Sequence, residues 1–277
     1  MFGTGADLFK GKDPHGEDSG LVFPIYVSLW AWRSEAHAAL GDFDQASAAA
    51  DEALRMATEI KHMGSLAIAC AWLGYVHVLR GHLDQAVPVL ERGLALSREF
   101  DLVHMIKANA LYLGQAYILL GERERGSGHL RHALEQSVVA FELQWTRYGS
   151  VTASALFAAN RLGEARSTIT AALETAAARH AQAYLPALLR LETETVGDTD
   201  GYSARIARVE EGLRLATEFG MRPEVAHCRL LLGRLQQESG APAAARESLE
   251  MAIAMYRQMD MPFWLEKAEG EAPRRRG

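Results

Sequence analysis

Apolar residues recur along this chain at the three- and four-residue spacing of an amphipathic helix, and short polar turns interrupt the pattern at a regular interval. The segment GDFDQASAAADEAL begins at Gly41, GHLDQAVPVLERGL at Gly81 and GERERGSGHLRHAL at Gly121. The frame continues as NRLGEARSTITAAL from Asn160, DGYSARIARVEEGL from Asp200 and GAPAAARESLEMAI from Gly240. Six units at a period of 39 to 40 residues therefore fill most of the sequence.

One helical stretch precedes each turn and another follows it, which predicts two antiparallel helices per unit. Glycine suits the turn because it enters the left-handed backbone region without steric cost. Asp44 and Asp84, three residues after their glycines, are placed to cap or begin the second helix, where a carboxylate meets the positive end of the helix dipole. Pro242 fits a first helical position. Small residues recur where the two helices must approach: Ala46, Ala86, Ala165 and Ala245, then Ala53, Gly93, Ala133, Ala172, Gly212 and Ala252. Leu90, Leu130, Ile169, Val209 and Leu249 fill the space between them.

This alternation of small and large residues, with Gly74, Gly114 and Gly233 in the first helices, resembles the tetratricopeptide repeat. The unit is longer than that family's usual one, and in length it resembles the sensor domains of maltose-activator-type bacterial regulators. The expected fold is accordingly all-α: a right-handed α-solenoid of about six helix-turn-helix repeats over residues 21–270, closed by a capping helix within PFWLEKAE, Pro262 to Glu269. Residues 1–20, with five glycines and no helical period, are expected to form a flexible arm, and residues 271–277, with Arg274 to Arg276, a flexible tail.

Composition narrows the function. The 277 residues are 49% hydrophobic and 23% charged, which supplies a core and excludes a disordered chain. Twenty-nine Lys and Arg against thirty-five Asp and Glu leave a net charge of −6, with no basic surplus for gripping a nucleic-acid backbone. The apolar stretch Leu66 to Leu79 is too short for a membrane span and contains His77. Cys70 and Cys228 stand far apart in apolar helical patterns, as two buried thiols in a reducing, cytoplasmic compartment would.

No constellation carries catalytic chemistry. Gly5 and Gly11 enclose five residues and Lys12 is followed by Asp13, so the phosphate-loop pattern fails twice. GDTDG at 197–201 is a solvated turn, because a calcium loop would need glutamate where Val209 stands. His129 and His132, one helical turn apart, lack a third metal ligand and are expected on the outer, solvent-facing side. His37, His77 and Tyr117 recur forty residues apart, which marks packing, and Trp30, Trp32, Trp72, Trp145 and Trp264 stand at core spacing. The chain is read as a non-enzyme without metal or cofactor.

Near the C-terminal end, GMRPEVAHCRLLLGRL from Gly220 and MYRQMDMPFWLEKAE from Met255 resemble the end of the helical-repeat region in bacterial proteins that join a class III nucleotide cyclase to an AAA-type ATPase. SLAIACAWLGYVHVLRGHLDQAVPVLERGLAL, Ser65 to Leu96, resembles an earlier part of that region. The likeness covers roughly residues 22–270 and carries over no catalytic residue, since the matching Arg222, Pro223, His227 and Cys228 sit at structural positions. It implies a protein- or peptide-binding scaffold, either the regulatory part of such a signalling protein, whose other domains could be the partner, or a free-standing relative. The alternative is a small-ligand sensor.

In a tetratricopeptide superhelix the first helix of each unit lines the concave side. Carried onto this frame, the inner positions are Ile68, Ala71, Tyr75 and Val78, then Ala108, Leu111, Gln115 and Ile118, then Arg147, Ser150, Ser154 and Phe157. Arg190, His227 and Arg234 follow at equivalent places. The expected partner is a peptide with an apolar segment followed by an acidic group. The lysine and asparagine pattern by which chaperone-binding relatives clamp a terminal carboxylate is absent.

Overall fold

The computed structural model describes residues 25–135, 145–196 and 201–271. The expected arm lies outside them, as do residues 272–277 of the expected tail and most of the turn at 197–201. The described residues form six helix pairs and a closing helix: α1 Ile25–Leu40 with α2 Phe43–Glu59, α3 Met63–Arg80 with α4 Leu83–Glu99, and α5 Val103–Leu119 with α6 Arg123–Glu135. There follow α7 Trp145–Ala158 with α8 Leu162–Ala178, α9 Leu185–Val196 with α10 Gly201–Glu218, α11 Arg222–Glu238 with α12 Pro242–Gln258, and α13 Pro262–Glu271. The chain divides into two compact units, one built from α1 to α6 and the other from α7 to α13, with Ala39–Gly41 counted in the second.

The rhythm of the fold is twice as fast as the forty-residue repeat. Gly41, Lys61, Gly81, Asp101 and Gly121 all have positive φ, and so do Asn160, His180, Gly220, Gly240 and Asp260. Each ends a helix, and the residue after it donates its amide hydrogen back to the carbonyl five positions earlier. Asp42 bonds to His37 at 2.9 Å, His82 to His77 at 2.9 Å, Leu102 to Ser97 at 2.8 Å and Met261 to Tyr256 at 3.0 Å. This is the Schellman closure, which satisfies carbonyls that a helix end leaves open. The residue after the left-handed one starts the next helix. Asp42 and His82 hold that place without a side-chain capping bond, and Asp44 and Asp84 lie in the first turn, where they meet the dipole. His62 is different: its Nδ1 accepts the Ser65 amide at 3.0 Å.

Within a pair, the expected small residues let the helices close. A Cβ added at Gly74 would stand 2.3 Å from Leu90 Cγ, and one at Gly233 would stand 2.6 Å from Leu249 Cγ. Both contacts join residues sixteen apart in the frame, so the close approach is itself a repeated feature. All the alanines singled out at these positions are buried, as are Leu90, Leu130, Ile169, Val209 and Leu249. Between pairs, first helix packs on first helix: α3 on α5, α7 on α9, and α9 on α11. Helix α3 is long and apolar enough to cross a membrane by length and composition, and 72% of it is buried within the protein.

Three expectations are refined. His129 does not face open solvent; it is half-buried and stacks on Tyr117 with ring centroids 5.7 Å apart. The Tyr117 hydroxyl donates to Glu91 at 2.6 Å, and the Arg125 guanidinium covers its ring at 3.9 Å. Trp32 is a surface residue rather than a core one, whereas Trp72 is buried. His37, His77 and Tyr117 share one place in the frame, where the backbone carbonyl of each closes its turn.

Two substitutions test this account. Alanine at Gly126 would place a methyl group 2.6 Å from the Gly114 carbonyl oxygen, backbone that cannot turn aside, so Gly126→Ala is expected to lower stability by about 1–3 kcal/mol. Lys61→Gly removes a left-handed strain of about 1–2 kcal/mol against a smaller entropic loss, and is expected to raise the melting temperature. Denaturant titration of both variants beside the wild type checks the two signs.

Candidate binding face

The predicted inner residues fall on the first helices: Ile68, Tyr75 and Val78 on α3, Leu111, Gln115 and Ile118 on α5, Ser154 and Phe157 on α7, Arg190 on α9, and His227 and Arg234 on α11. Arg147 lies in the first turn of α7, and its side chain is outside the described residues.

In the first unit, packing of α3 against α5 takes up most of the expected apolar surface. Ile68, Val78, Leu111, Gln115 and Ile118 are all buried. Helices α3 and α5 pack directly on one another, and apolar side chains at such a contact are withdrawn from water. Tyr75 remains half-buried. Its ring meets Trp72 edge-on at 6.0 Å and Tyr112 at 5.0 Å, and it packs with Met105 on the cluster of Ala31, Ile68 and Trp72. Ser154 and Phe157 of the second unit are likewise half-buried.

The second unit brings its predicted cations together, but not as free charges. Arg190 donates through Nε to Glu224 at 2.5 Å and through Nη1 to Glu194 at 2.8 Å. Glu194 also stands 3.8 Å from Arg234 Nη1, and Arg234 grips Glu271 with Nη2 at 2.7 Å and Nε at 3.2 Å. The result is an alternating series, Glu224, Arg190, Glu194, Arg234, Glu271, carried by α9, α11 and α13. The expectation that Arg190 and Arg234 await an acidic partner is therefore corrected: both already have carboxylates. Burial pulls the Arg190 guanidinium down, and the two glutamates outweigh that pull and raise it. A charge taken out of water needs such neighbours.

His227 lies beside this series. Its Nδ1 shares a 2.7 Å hydrogen bond with the Tyr256 hydroxyl, and its ring meets Trp264 at 4.6 Å. Burial, and then the nearby Arg190 and Lys267, hold its pKa well below 6.5, so the ring is neutral. Burial raises the Cys228 thiol well above its ordinary value, with Glu224 adding to the effect, which keeps the sulfur protonated and unreactive. Among the described residues no group of three or more His, Cys, Asp or Glu side chains is arranged to hold a metal.

Glu194, Glu224, Glu271 and Tyr256 were not singled out from the sequence. One signal was available for Tyr256. The equivalent turn-closing position of four other second helices, the ones described there, is occupied by Ala57, Ser97, Ala176 and Ala216, all buried. A tyrosine in that small-residue register has to direct its ring somewhere, and here it reaches the first helix of its own pair.

Residues 27–56 and 67–92 match the tetratricopeptide repeat family. No curated protein sequence matches the chain. Among solved structures the chain is similar to the apo form of RapI, with a TM-score of 0.62 and 15% identity over 93% of this chain and 90% of that one. It is also similar to a Rap protein complexed with competence and sporulation factor, with a TM-score of 0.58 and 12% identity over 98% of this chain and 84% of that one. The fold is thus all-helical and of the tetratricopeptide-like solenoid type, built from the repeated pairs described above.

The buried histidine yields a pH test. An unfolded chain takes up a proton at His227 near pH 6.5, whereas the folded chain takes it up only at a lower pH. Stability is therefore kept above about pH 6.5 and lost as the pH falls below it, by at most about 1.4 kcal/mol per pH unit from this residue. His77 and His129, also lowered by burial, act in the same direction. Urea titrations at neutral and mildly acidic pH should show a smaller acid loss for His227→Gln than for wild type, and equal losses would contradict the assignment.

Proposed function

We propose that this chain is a non-catalytic scaffold that binds a protein or peptide along the inner face of its first helices. The observation that carries the reading is the shared fold with a Rap protein whose structure holds competence and sporulation factor. Each compact unit supports the reading by itself: the first has the half-buried Tyr75, and the second has the half-buried Ser154 and Phe157 together with the charge series of α9, α11 and α13. We also place the chain as the regulatory region of a bacterial, cytoplasmic cyclase/ATPase-type signalling protein. That placement rests on the resemblance of Ser65 to Leu96, Gly220 to Leu235 and Met255 to Glu269.

A peptide display library selected on the immobilised chain tests the scaffold reading. Replacing Tyr75 and Phe157 by Ala should weaken the selected peptides by about tenfold or more, the loss expected of anchoring aromatic side chains, while leaving the melting temperature nearly unchanged. A library that yields no binder, or a double variant that loses much of its stability, would count against this face.

A further inference from the structure

We propose that the buried Asn109 side chain is a register lock between the second and third helix pairs, and that it is the reason glycine stands at position 93. The inference goes beyond the binding reading and does not depend on it.

Asn109 lies on α5 and is fully buried. Its Nδ2 donates to the Met105 carbonyl of its own helix at 2.9 Å, and it reaches the Ala67 carbonyl of α3 at 3.3 Å and Ser97 Oγ of α4 at 3.4 Å. Ser97 Oγ in turn donates to the Gly93 carbonyl at 2.6 Å. Two amide hydrogens are thus shared among three acceptors on three helices. The Oδ1 atom has no hydrogen-bond partner among the described residues. A buried acceptor in that state is costly, so stability alone does not account for an amide here. What the amide supplies is direction. A slide of α5 by one turn would take Nδ2 away from both neighbouring helices, whereas an apolar side chain would accept more than one register. A single buried polar side chain fixes register in this way at a cost in stability.

Gly93 makes the space for it. A Cβ added there would stand 2.2 Å from Asn109 Oδ1 and 2.8 Å from the Cβ of Cys70. Sixteen residues separate Gly93 from Asn109, and the same interval recurs where other consecutive pairs meet. Gly212 of α10 stands sixteen before Cys228 of α11, and a Cβ on it would lie 3.7 Å from the Cys228 sulfur. Ala53 and Ala69 hold these places between α2 and α3, in one apolar cluster, and the buried Ala252 and Ala268 hold them between α12 and α13. Glycine therefore accompanies the larger Asn109 and Cys228, and alanine accompanies alanine. The passage from α8 to α9, which contains a 3-10 turn at Gln182–Tyr184, carries Ala172 and Leu188 and stands outside this pattern. Because Ile68 follows Ala67 on α3 and Leu111 stands two residues beyond Asn109 on α5, the lock also sets the register of the two helices that carry the candidate face of the first unit.

The test uses the full chain and the variants Gly93→Ala, Asn109→Ala and the two combined. Gly93→Ala should lower the melting temperature most, since its methyl group meets the amide. The double variant should melt above Gly93→Ala, even with the Cys70 contact still present, because the amide no longer fills the space. A double variant that melts at or below Gly93→Ala, as independent losses would give, overturns the pairing of the two sites. If Gly93→Ala does not fold, a folded double variant supports the pairing, and an unfolded one beside a folded Asn109→Ala overturns it. Register is read separately from Asn109→Leu, which keeps bulk without donors. The methyl NMR signals of Ile68 and Leu111 should broaden or double in that variant, and single sharp signals overturn the lock. On the unaltered chain, the Asn109 side-chain amide signal, identified by its loss in Asn109→Ala, should persist in heavy water after that of the exposed Asn160 has exchanged. Equal exchange of the two likewise overturns the lock.

Discussion

The left-handed residue that ends ten of the described helices is the constraint from which the rest of the architecture follows. It reverses the chain in one step, and the next residue already starts a new helix. Where no loop absorbs slack, helix length is set by the interval between such residues, and the lateral register of each pair is set with it. That is why Gly74 meets Leu90 and Gly233 meets Leu249 at the same offset in separate units. The amide-to-carbonyl closure at each turn also explains why helices with few side-chain caps remain well ended.

Much of this could be read from the sequence, for identifiable reasons. Glycine at Gly41, Gly81, Gly121 and Gly240, with Asn160 in the same frame, marks turns forty residues apart and makes that period conspicuous. The intervening turns use Lys61, Asp101, His180 and Asp260, with glycine only at Gly220, so most of that half of the rhythm lacks the glycine mark. The candidate face divides in the same way. Arg190, His227 and Arg234 follow from register along a helix, which a repeat frame supplies. Their partners follow from lateral contact between helices, and Glu271 in particular falls where composition suggests a tail. Burial of Ile68, Leu111 and Ile118 depends on how tightly successive first helices pack, a distance that periodicity does not encode.

The two ends of the charge series illustrate different uses of an ion pair. Around Arg190 both partners are largely withdrawn from water, so the pairing is costly to form and more costly to half-remove, which favours one arrangement of α9 against α11. Around Arg234 the partners are more exposed, at 33% and 27%, and the guanidinium holds Glu271 through two hydrogen bonds. Both ends therefore hold the helices together, the Arg190 end at the greater cost of desolvation. His227, neutral and held by Tyr256, adds no competing positive charge between them.

The evenly spaced turns also bear on how such a chain can change length. Removing or duplicating forty residues between equivalent glycines leaves every remaining helix in its former role, because first helices still follow second ones. Removing twenty would change the parity: each later helix would exchange roles with its partner, and side chains built to face a neighbouring first helix would face outward. Insertions and deletions in a lineage of such proteins should therefore accumulate as whole pairs, even though the backbone geometry repeats at half that interval.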